Sequence, residues 1–292
     1  MKKVLLLGAG GMLGSAVYDV LKDKYKLVLS FRNLEEASLL DKKYGGTRNH
    51  QTEEFDLKFI YQDYLDKKGP YGPYFNSFLE KIGEVDYVIN AIGVTIPFSL
   101  KDPALTFFIN SAFPHILSGI FKNRLIHITT DCVYNGKESY PYDENSLKTP
   151  VDIYGISKSL GEPTNCLTLR TSIIGRELQG FTSLLEWFLE QEGKTIKGFT
   201  QHFWNGITTK EFGKICDKII ENRKQYPESG IFHIFSDTVS KYEMLLKFKE
   251  KFSIDCKIIP DDSTGINRTL TTVHPLCSQL QIPSFNEMLN KL

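Results

Sequence analysis

The stretch Lys3-Val-Leu-Leu-Leu-Gly8-Ala-Gly-Gly11-Met-Leu-Gly14 decides the fold. A short apolar run at residues 4–7 meets glycines at once, and a 3–4 apolar periodicity over residues 12–21 follows. Glycines between a strand and a helix let the turn take positive φ, and they let the backbone approach a pyrophosphate at the helix amino terminus. Gly8, Gly11 and Gly14 fit GxxGxxG, whereas GxGxxG fails because Leu13 holds its last glycine position. A tight turn alone also uses glycine, but at the head of a strand–helix alternation the pattern points to dinucleotide binding.

Working outward, further strands are expected at residues 27–31, 53–55, 87–91, 125–129 and 167–170, with helical patterns at 75–82 and 104–120 between them. Continuous apolar strands alternating with helices predict α/β architecture: a doubly wound parallel sheet of Rossmann type, covered on both faces. After Arg170 the pattern loosens. Helices are expected near 183–191, 210–221 and 242–251, extended pieces near 195–199 and 231–235, and late apolar pieces at 257–260 and 285–289. The reading therefore sets a dinucleotide-binding domain at residues 1–170 and a smaller α/β substrate region at 171–292, with interleaving of the two left open.

Composition narrows the functional classes. The 292 residues carry 35 Lys+Arg against 35 Asp+Glu, so no bulk charge draws the chain to nucleic acid or an anionic membrane. Five scattered cysteines form no CxxC and no zinc spacing with the six histidines, so no metal is expected and a reducing, cytoplasmic setting is. The apolar run after the basic start is shorter than the ~7–15 residues of a signal-peptide core. No apolar run approaches the ~18 residues of a membrane span, so no membrane partner is expected.

Two further motifs carry chemistry. Tyr154 and Lys158 form a YxxxK pair, which a helix places on one face. An ammonium beside a phenol lowers the phenol's pKa and makes it a usable acid in carbonyl reduction. The pair alone is weak, since Tyr18/Lys22 and Tyr64/Lys68 share the spacing and are expected to be coincidences of helix surfaces. The other motif, Thr129-Thr-Asp-Cys-Val-Tyr-Asn-Gly136, follows the fifth strand, and ligands of open α/β sheets bind beyond the carboxyl ends of strands. A hydroxyl-rich turn with Asp131 capping a loop would look alike; the glycine motif tips the reading toward a site.

GAGGMLG at 8–14, NAIG at 90–93, TTDCVYNG at 129–136 and YGISKSLGE at 154–162 resemble the extended short-chain dehydrogenase/reductases, and most of all their dTDP-4-dehydrorhamnose reductase-like branch. LRTSIIGR at 169–176, NGITT at 205–209 and NRTL at 267–270 resemble further family segments. The resemblance implies reduction of the C4 keto group of a nucleotide-linked 4-keto-6-deoxyhexose, with Thr130, Tyr154 and Lys158 as the catalytic set. It implies cofactor contacts from Gly8, Gly10, Gly11, Met12, Leu13, Ser30, Arg32, Asp56, Leu57, Asn90, Ala91, Ile92, Thr129, Tyr154 and Lys158, with Asp56 at the adenine edge. Thr95, Asp131, Cys132 and Trp204 are the expected substrate contacts.

The second strand ends Ser30-Phe31-Arg32 without an acid, so NADP(H) is expected over NAD(H). Cys132 stands where the branch usually has tyrosine and where sugar dehydratases carry a catalytic glutamate. Thr264-Gly265 replaces an expected Arg-Pro pair. A nucleotide-sugar epimerase and a noncatalytic NADP-binding regulatory subunit are the competing readings, and a homodimer is compatible with the sequence.

Overall fold

The computed structural model describes residues 1–69 and 71–292. Its first half runs β1 (Lys3–Leu7), α1 (Met12–Leu21), β2 (Lys26–Phe31), α2 (Leu34–Tyr44), β3 (Gln51–Glu54), α3 (Leu57–Leu65), α4 (Pro73–Ile82) and β4 (Tyr87–Asn90). There follow α5 (Ile96–Ser99), α6 (Pro103–Phe107), α7 (Phe113–Phe121), β5 (Leu125–Thr129), α8 (Ile153–Leu160) and β6 (Leu167–Arg170). The second half holds β7 (Ile173–Ile174), α9 (Leu184–Leu189), β8 (Thr195–Trp204), β9 (Ile207–Thr208), α10 (Thr209–Glu221) and β10 (Gly230–His233). β11 (Val239–Ser240), α11 (Lys241–Phe252), β12 (Lys257–Asn267), α12 (Leu276–Leu280) and α13 (Phe285–Asn290) complete the chain.

Seven strands form one parallel sheet in the order β10-β6-β5-β4-β1-β2-β3. The order reverses between β1 and β4, and a crevice at such a switch point is where ligands bind in this class of sheet. The two-residue period of a strand sends Val4 and Leu6 into one core, with α1 and α10, and Leu5 and Leu7 into the other, with α3, α4 and α7. Continuous apolar strands are thus the consequence of burial on both faces.

The end of β6 at Arg170 is where the chain first leaves this layer, but it returns. β10 pairs in parallel with β6, and α10 lies so close to α1 that a Cβ on Gly213 would stand 3.2 Å from the Val17 Cα. From the chain before and after these returns a second sheet, β11-β8-β12, packs with α9, α11 and α13 around Phe188, Trp204, Phe248 and Phe285. Two strands here outrun the expected pieces at 195–199 and 257–260. β12 is exposed over most of its length, so its extent is set by pairing with β8 and leaves no apolar period to read. The apolar piece at 285–289 is helical.

The helical pattern at 104–120 is interrupted: Phe108–Ala112 is a π-helical turn joining α6 to α7. The helix Pro103–Arg124 is long and apolar enough by length and composition to cross a membrane. Here Phe108, Phe113, Leu117 and Phe121 seat it on the sheet as a core helix.

Candidate active site

The glycine turn forms an open cradle at the carboxyl end of β1. Gly8 has φ +79° and its N–H donates to Ser30 Oγ at 3.0 Å. A Cβ on Gly14 would fall 2.1 Å from the Gly8 carbonyl oxygen, so α1 can leave the strand this closely only with glycine there. On Gly11 a Cβ would meet nothing nearer than Gly8 O at 3.4 Å, and the side facing away from the strand is open. Gly11 caps α1 without a side-chain bond, and α1 has no acid in its own first turn with Met12 and Leu13. That leaves the end of the helix suited to an anion, beside the Glu36 carboxylate that reaches Gly10 from α2. Ile92 covers the turn from β4: its Cγ1 would lie 2.9 Å from a Cβ on Gly8.

The second wall comes from β5 and α8. Thr130 opens a short 3-10 turn at the end of β5, accepting from Cys132 N and donating to Asp131 Oδ1, both at 3.2 Å. Asp152 caps α8 by accepting from Gly155 N at 2.7 Å, and a Cβ on Gly155 would stand 2.4 Å from the Cys132 carbonyl oxygen. That contact presses the first turn of α8, with Tyr154, onto the Thr130 turn. Lys158, one turn on, is buried and donates to the Ile128 carbonyl at 2.9 Å.

Electrostatics corrects one expectation. Tyr154 lies well above the ordinary phenol value, because burial and the neighbouring Cys132 and Asp131 outweigh the Thr130 hydroxyl that favours its anion. Lys158 does not lower it; desolvation instead brings the lysine down to about 8. The phenol is a neutral proton donor across the working pH range. The other YxxxK pairs do separate from this site, but not both as surface coincidences. Tyr18 is fully buried and donates to the Gly45 carbonyl at 2.6 Å, while Tyr64 is exposed.

Residues the sequence reading missed hold these walls together. Asn110, carried inward by the π-helical turn, accepts from Val94 N at 2.8 Å and donates to Val94 O and Ser157 Oγ, clamping the loop after β4 to α8. π-bulges in helices often mark functional sites, but this one continues a helical sequence pattern and gave no signal before the structure. Asn90, an expected cofactor contact, donates from Nδ2 to His127 Nδ1 and accepts at Oδ1 from Ile92 N, so it shapes the Ala91–Ile92 bend. Beneath lies the buried pair Arg170–Glu162, with N–O distances of 2.9 and 2.6 Å. Arg170 Nη1 also donates to Tyr134 Oη and His233 Nε2. Arginine has no acceptor, so His233 carries its proton on Nδ1 and donates to the Thr271 carbonyl at 2.7 Å.

Two cations flank the Asp131–Cys132 turn, which the sequence did not suggest. Arg268 donates to the Tyr134 carbonyl at 2.9 Å and lies against Cys132 Sγ at 3.6 Å, seated on Gly136, where a Cβ would be 2.8 Å from Arg268 Cγ. Lys241 has its ammonium 5.9 Å from the Trp204 ring centroid. Burial raises the Asp131 carboxyl while Arg268 and Lys241 oppose the shift, and burial with Asp131 pushes the Cys132 thiol up to about 12. Cys132 is therefore an uncharged wall, not a substitute for a carboxylate. Trp204, an expected substrate contact, is instead packed in the second core against Phe285 because its indole is almost wholly buried. Thr95 is exposed at the amino end of α5, its hydroxyl making no cap bond.

At the adenosine end, Ser30 is buried and occupied in holding Gly8. Asp56 closes the strand side and caps α3 through Lys58 N at 2.9 Å, and the Leu57 side chain belongs to the core. Arg32, an expected cofactor contact, is paired with Glu36 at 2.7 Å.

A nicotinamide dinucleotide fits these walls. The Thr129 hydroxyl, buried at the end of β5, has no hydrogen-bond partner among the described residues, and buried polar atoms are ordinarily satisfied. The cradle at Gly11 is open, a Cβ on Gly93 would lie 3.9 Å from Lys158 Nζ, and the donors Thr129, Tyr154 and Lys158 lie at the end of β5 and on α8.

The fold and site together define an oxidoreductase of the extended short-chain dehydrogenase/reductase class. Residues 84–288 match the family described as "RmlD substrate binding domain", and the chain belongs to that family. The spore coat polysaccharide biosynthesis protein SpsK of Bacillus subtilis (strain 168) is 25% identical over 268 residues, covering 89% of this chain and 82% of SpsK. A hypothetical dTDP-4-dehydrorhamnose reductase from Sulfolobus tokodaii has the same fold, with a TM-score of 0.71, 23% identity and coverage of 96% and 93% of the two chains. The dTDP-4-dehydrorhamnose reductase from Bacillus anthracis str. Ames, solved in complex with NADP, gives 0.69 at 18% identity, covering 99% and 98%.

Proposed function

We propose that this protein reduces the C4 keto group of a nucleotide-linked 4-keto-6-deoxyhexose with NADP(H), in the cytoplasm, on a route to deoxysugars of a surface polysaccharide. The observation that carries the reading is the placement of Thr130, Tyr154 and Lys158 around the end of β5, beside a buried Thr129 hydroxyl without a partner. Family membership and the likeness to SpsK support the polysaccharide setting.

When bound, the dihydronicotinamide supplies the hydride that the carbonyl carbon accepts. Tyr154, a neutral phenol, donates its proton to the carbonyl oxygen as negative charge develops there. Thr130 turns its hydroxyl from Asp131 to the same oxygen and stabilises that charge. Lys158 and Thr129 hold the nicotinamide ribose, and Asn110 keeps the loop after β4 against α8 so that the groove keeps its width. Beside the Asp131–Cys132 turn Arg268 and Lys241 take the diphosphate of the nucleotide, since two cations with few competing acceptors suit a dianion. Arg32 at the end of β2 supplies the charge that favours the 2′-phosphate of NADP(H).

The test mixes purified protein with NADPH and a nucleotide-linked 4-keto-6-deoxyhexose. Oxidised cofactor formed in step with a 4-hydroxy product confirms the reductase. A rearranged sugar with no net oxidation of cofactor would establish an epimerase, and cofactor binding with no turnover would establish a regulatory subunit.

A further inference from the structure

We propose that Glu36, an acid absent from the strand end where cofactor choice is usually read, sets the balance between the two nicotinamide dinucleotides by neutralising Arg32. The inference rests on the reading that the glycine cradle takes a dinucleotide. Glu36 lies in the first turn of α2, but its carboxylate points back across the cradle. A Cβ on Gly10 would fall 2.6 Å from Glu36 Oε2 and 2.9 Å from Glu36 Cβ, so glycine at position 10 makes room for this side chain. Oε2 also accepts from the backbone N–H of Arg32 at 3.2 Å, the first residue beyond β2. The carboxylate thus spans the gap from the pyrophosphate turn to the end of β2, where an acidic group would meet the adenosine ribose.

Its partners show a built arrangement. Oε1 accepts from Arg32 Nε at 2.9 Å, Arg32 Nη2 at 2.7 Å and Gln179 Nε2 at 2.8 Å. Gln179 comes from the segment after β7, so two distant parts of the chain converge on one carboxylate. An ordinary i,i+4 ion pair on a helix is exposed at both ends and contributes little. Here the Glu36 side chain is 6% exposed and the Arg32 side chain 68%. The acid is fixed and the guanidinium covers it from outside.

A carboxylate accepts hydrogen bonds only. It therefore welcomes the 2′-hydroxyl of NAD(H) and repels the 2′-phosphate of NADP(H). Arg32 attracts that phosphate, and Glu36 cancels much of the attraction. The two residues together give a weaker preference for NADP(H) than Arg32 alone would confer.

The experiment measures dissociation constants for NADPH and NADH by nicotinamide fluorescence, and for adenosine 2′,5′-bisphosphate and AMP by calorimetry, without sugar substrate. Wild type is compared with Glu36→Gln, Glu36→Asp and Arg32→Ala. Glu36→Gln keeps the shape and loses the charge, and should shift the preference toward NADPH and the bisphosphate at least tenfold. Glu36→Asp withdraws the carboxylate by one methylene and should shift it the same way by less, which keeps the test open if the glutamine variant does not fold. Arg32→Ala should shift the preference toward NADH. An NADPH-to-NADH affinity ratio within threefold of wild type in the folded Glu36 variants would overturn the role of Glu36 while leaving dinucleotide binding intact. Failure of wild type to bind any of the four ligands would overturn the dinucleotide reading, and this inference with it.

Discussion

Replacing Lys158 with methionine should abolish turnover and yet make the cofactor-free protein more stable. Lys158 is buried, and desolvation lowers it from 10.5 to about 8, with Glu162 opposing the shift. At ~1.4 kcal/mol for each pKa unit, holding this ammonium charged at pH 7 costs about 3 kcal/mol relative to a neutral amine. Methionine fills a similar volume but leaves the Ile128 carbonyl without its donor, which costs ~1 kcal/mol. The net gain is about 2 kcal/mol, or roughly 4 °C in Tm for a chain of this size.

The pH dependence identifies the cause. The folded value lies below the unfolded one, so the folded protein binds fewer protons between about pH 8 and 10.5, and wild type recovers the cost as pH rises through that window. The advantage of Lys158→Met should be full at pH 7 and shrink toward pH 10. Urea or thermal melts of both proteins without cofactor, at pH 7 and pH 10, measure it. A variant less stable than wild type at pH 7, or an advantage independent of pH, would refute the argument that charge burial is held at the site for function.

Tyr154→Phe should lower kcat by ~10²–10⁴ with little change in cofactor affinity, as expected for loss of a general acid, whereas Tyr64→Phe should not; steady-state kinetics on both decides it. Thr130→Val should lower kcat by up to about 10²–10³ through loss of one donor to the developing oxyanion, and an unchanged rate would return Thr130 to a turn residue. Lys241→Met and Arg268→Ala should each raise KM for the nucleotide sugar by about 10–100-fold with a smaller effect on kcat, the signature of lost uniform binding to a charged group. His127 and His233 are buried with values below the ordinary 6.5, through desolvation reinforced by Lys158 and Arg170 respectively. Stability is then complete above about pH 6.5 and declines as pH falls below it, by up to ~1.4 kcal/mol per pH unit for each histidine. Urea midpoints at pH 7 and 5.5 should show the decline, and a flat profile would contradict it.

The parallel sheet was legible because strands buried on both faces read as unbroken apolar runs, and Gly14 is dictated by its approach to the Gly8 carbonyl within a single strand–turn–helix unit. The same locality made Thr130 and Tyr154 readable: one ends a strand, the other begins a helix, and the motif around each is contiguous. The π-helical turn that delivers Asn110 was not legible, since Phe108–Ala112 continues a helical pattern and the extra residue is demanded by packing on α8. Nor was the length of β12, whose exposed residues are ordered by hydrogen bonds to β8.

Charge required the tertiary structure most of all. Arg32 reads as a free cation until α2 folds back and Glu36 meets it, and Tyr18 reads as a surface residue until Gly45 closes over it. Arg268 and Lys241 lie 27 residues apart on a loosely patterned segment and reach the Asp131–Cys132 turn only in the folded chain. Sequence by itself determined what nearest neighbours along the chain enforce: burial period and turn conformation. The tertiary structure alone decided which ionisable groups share a low-dielectric space, because a Coulomb interaction depends on distance and burial, and neither is a property of position along the chain.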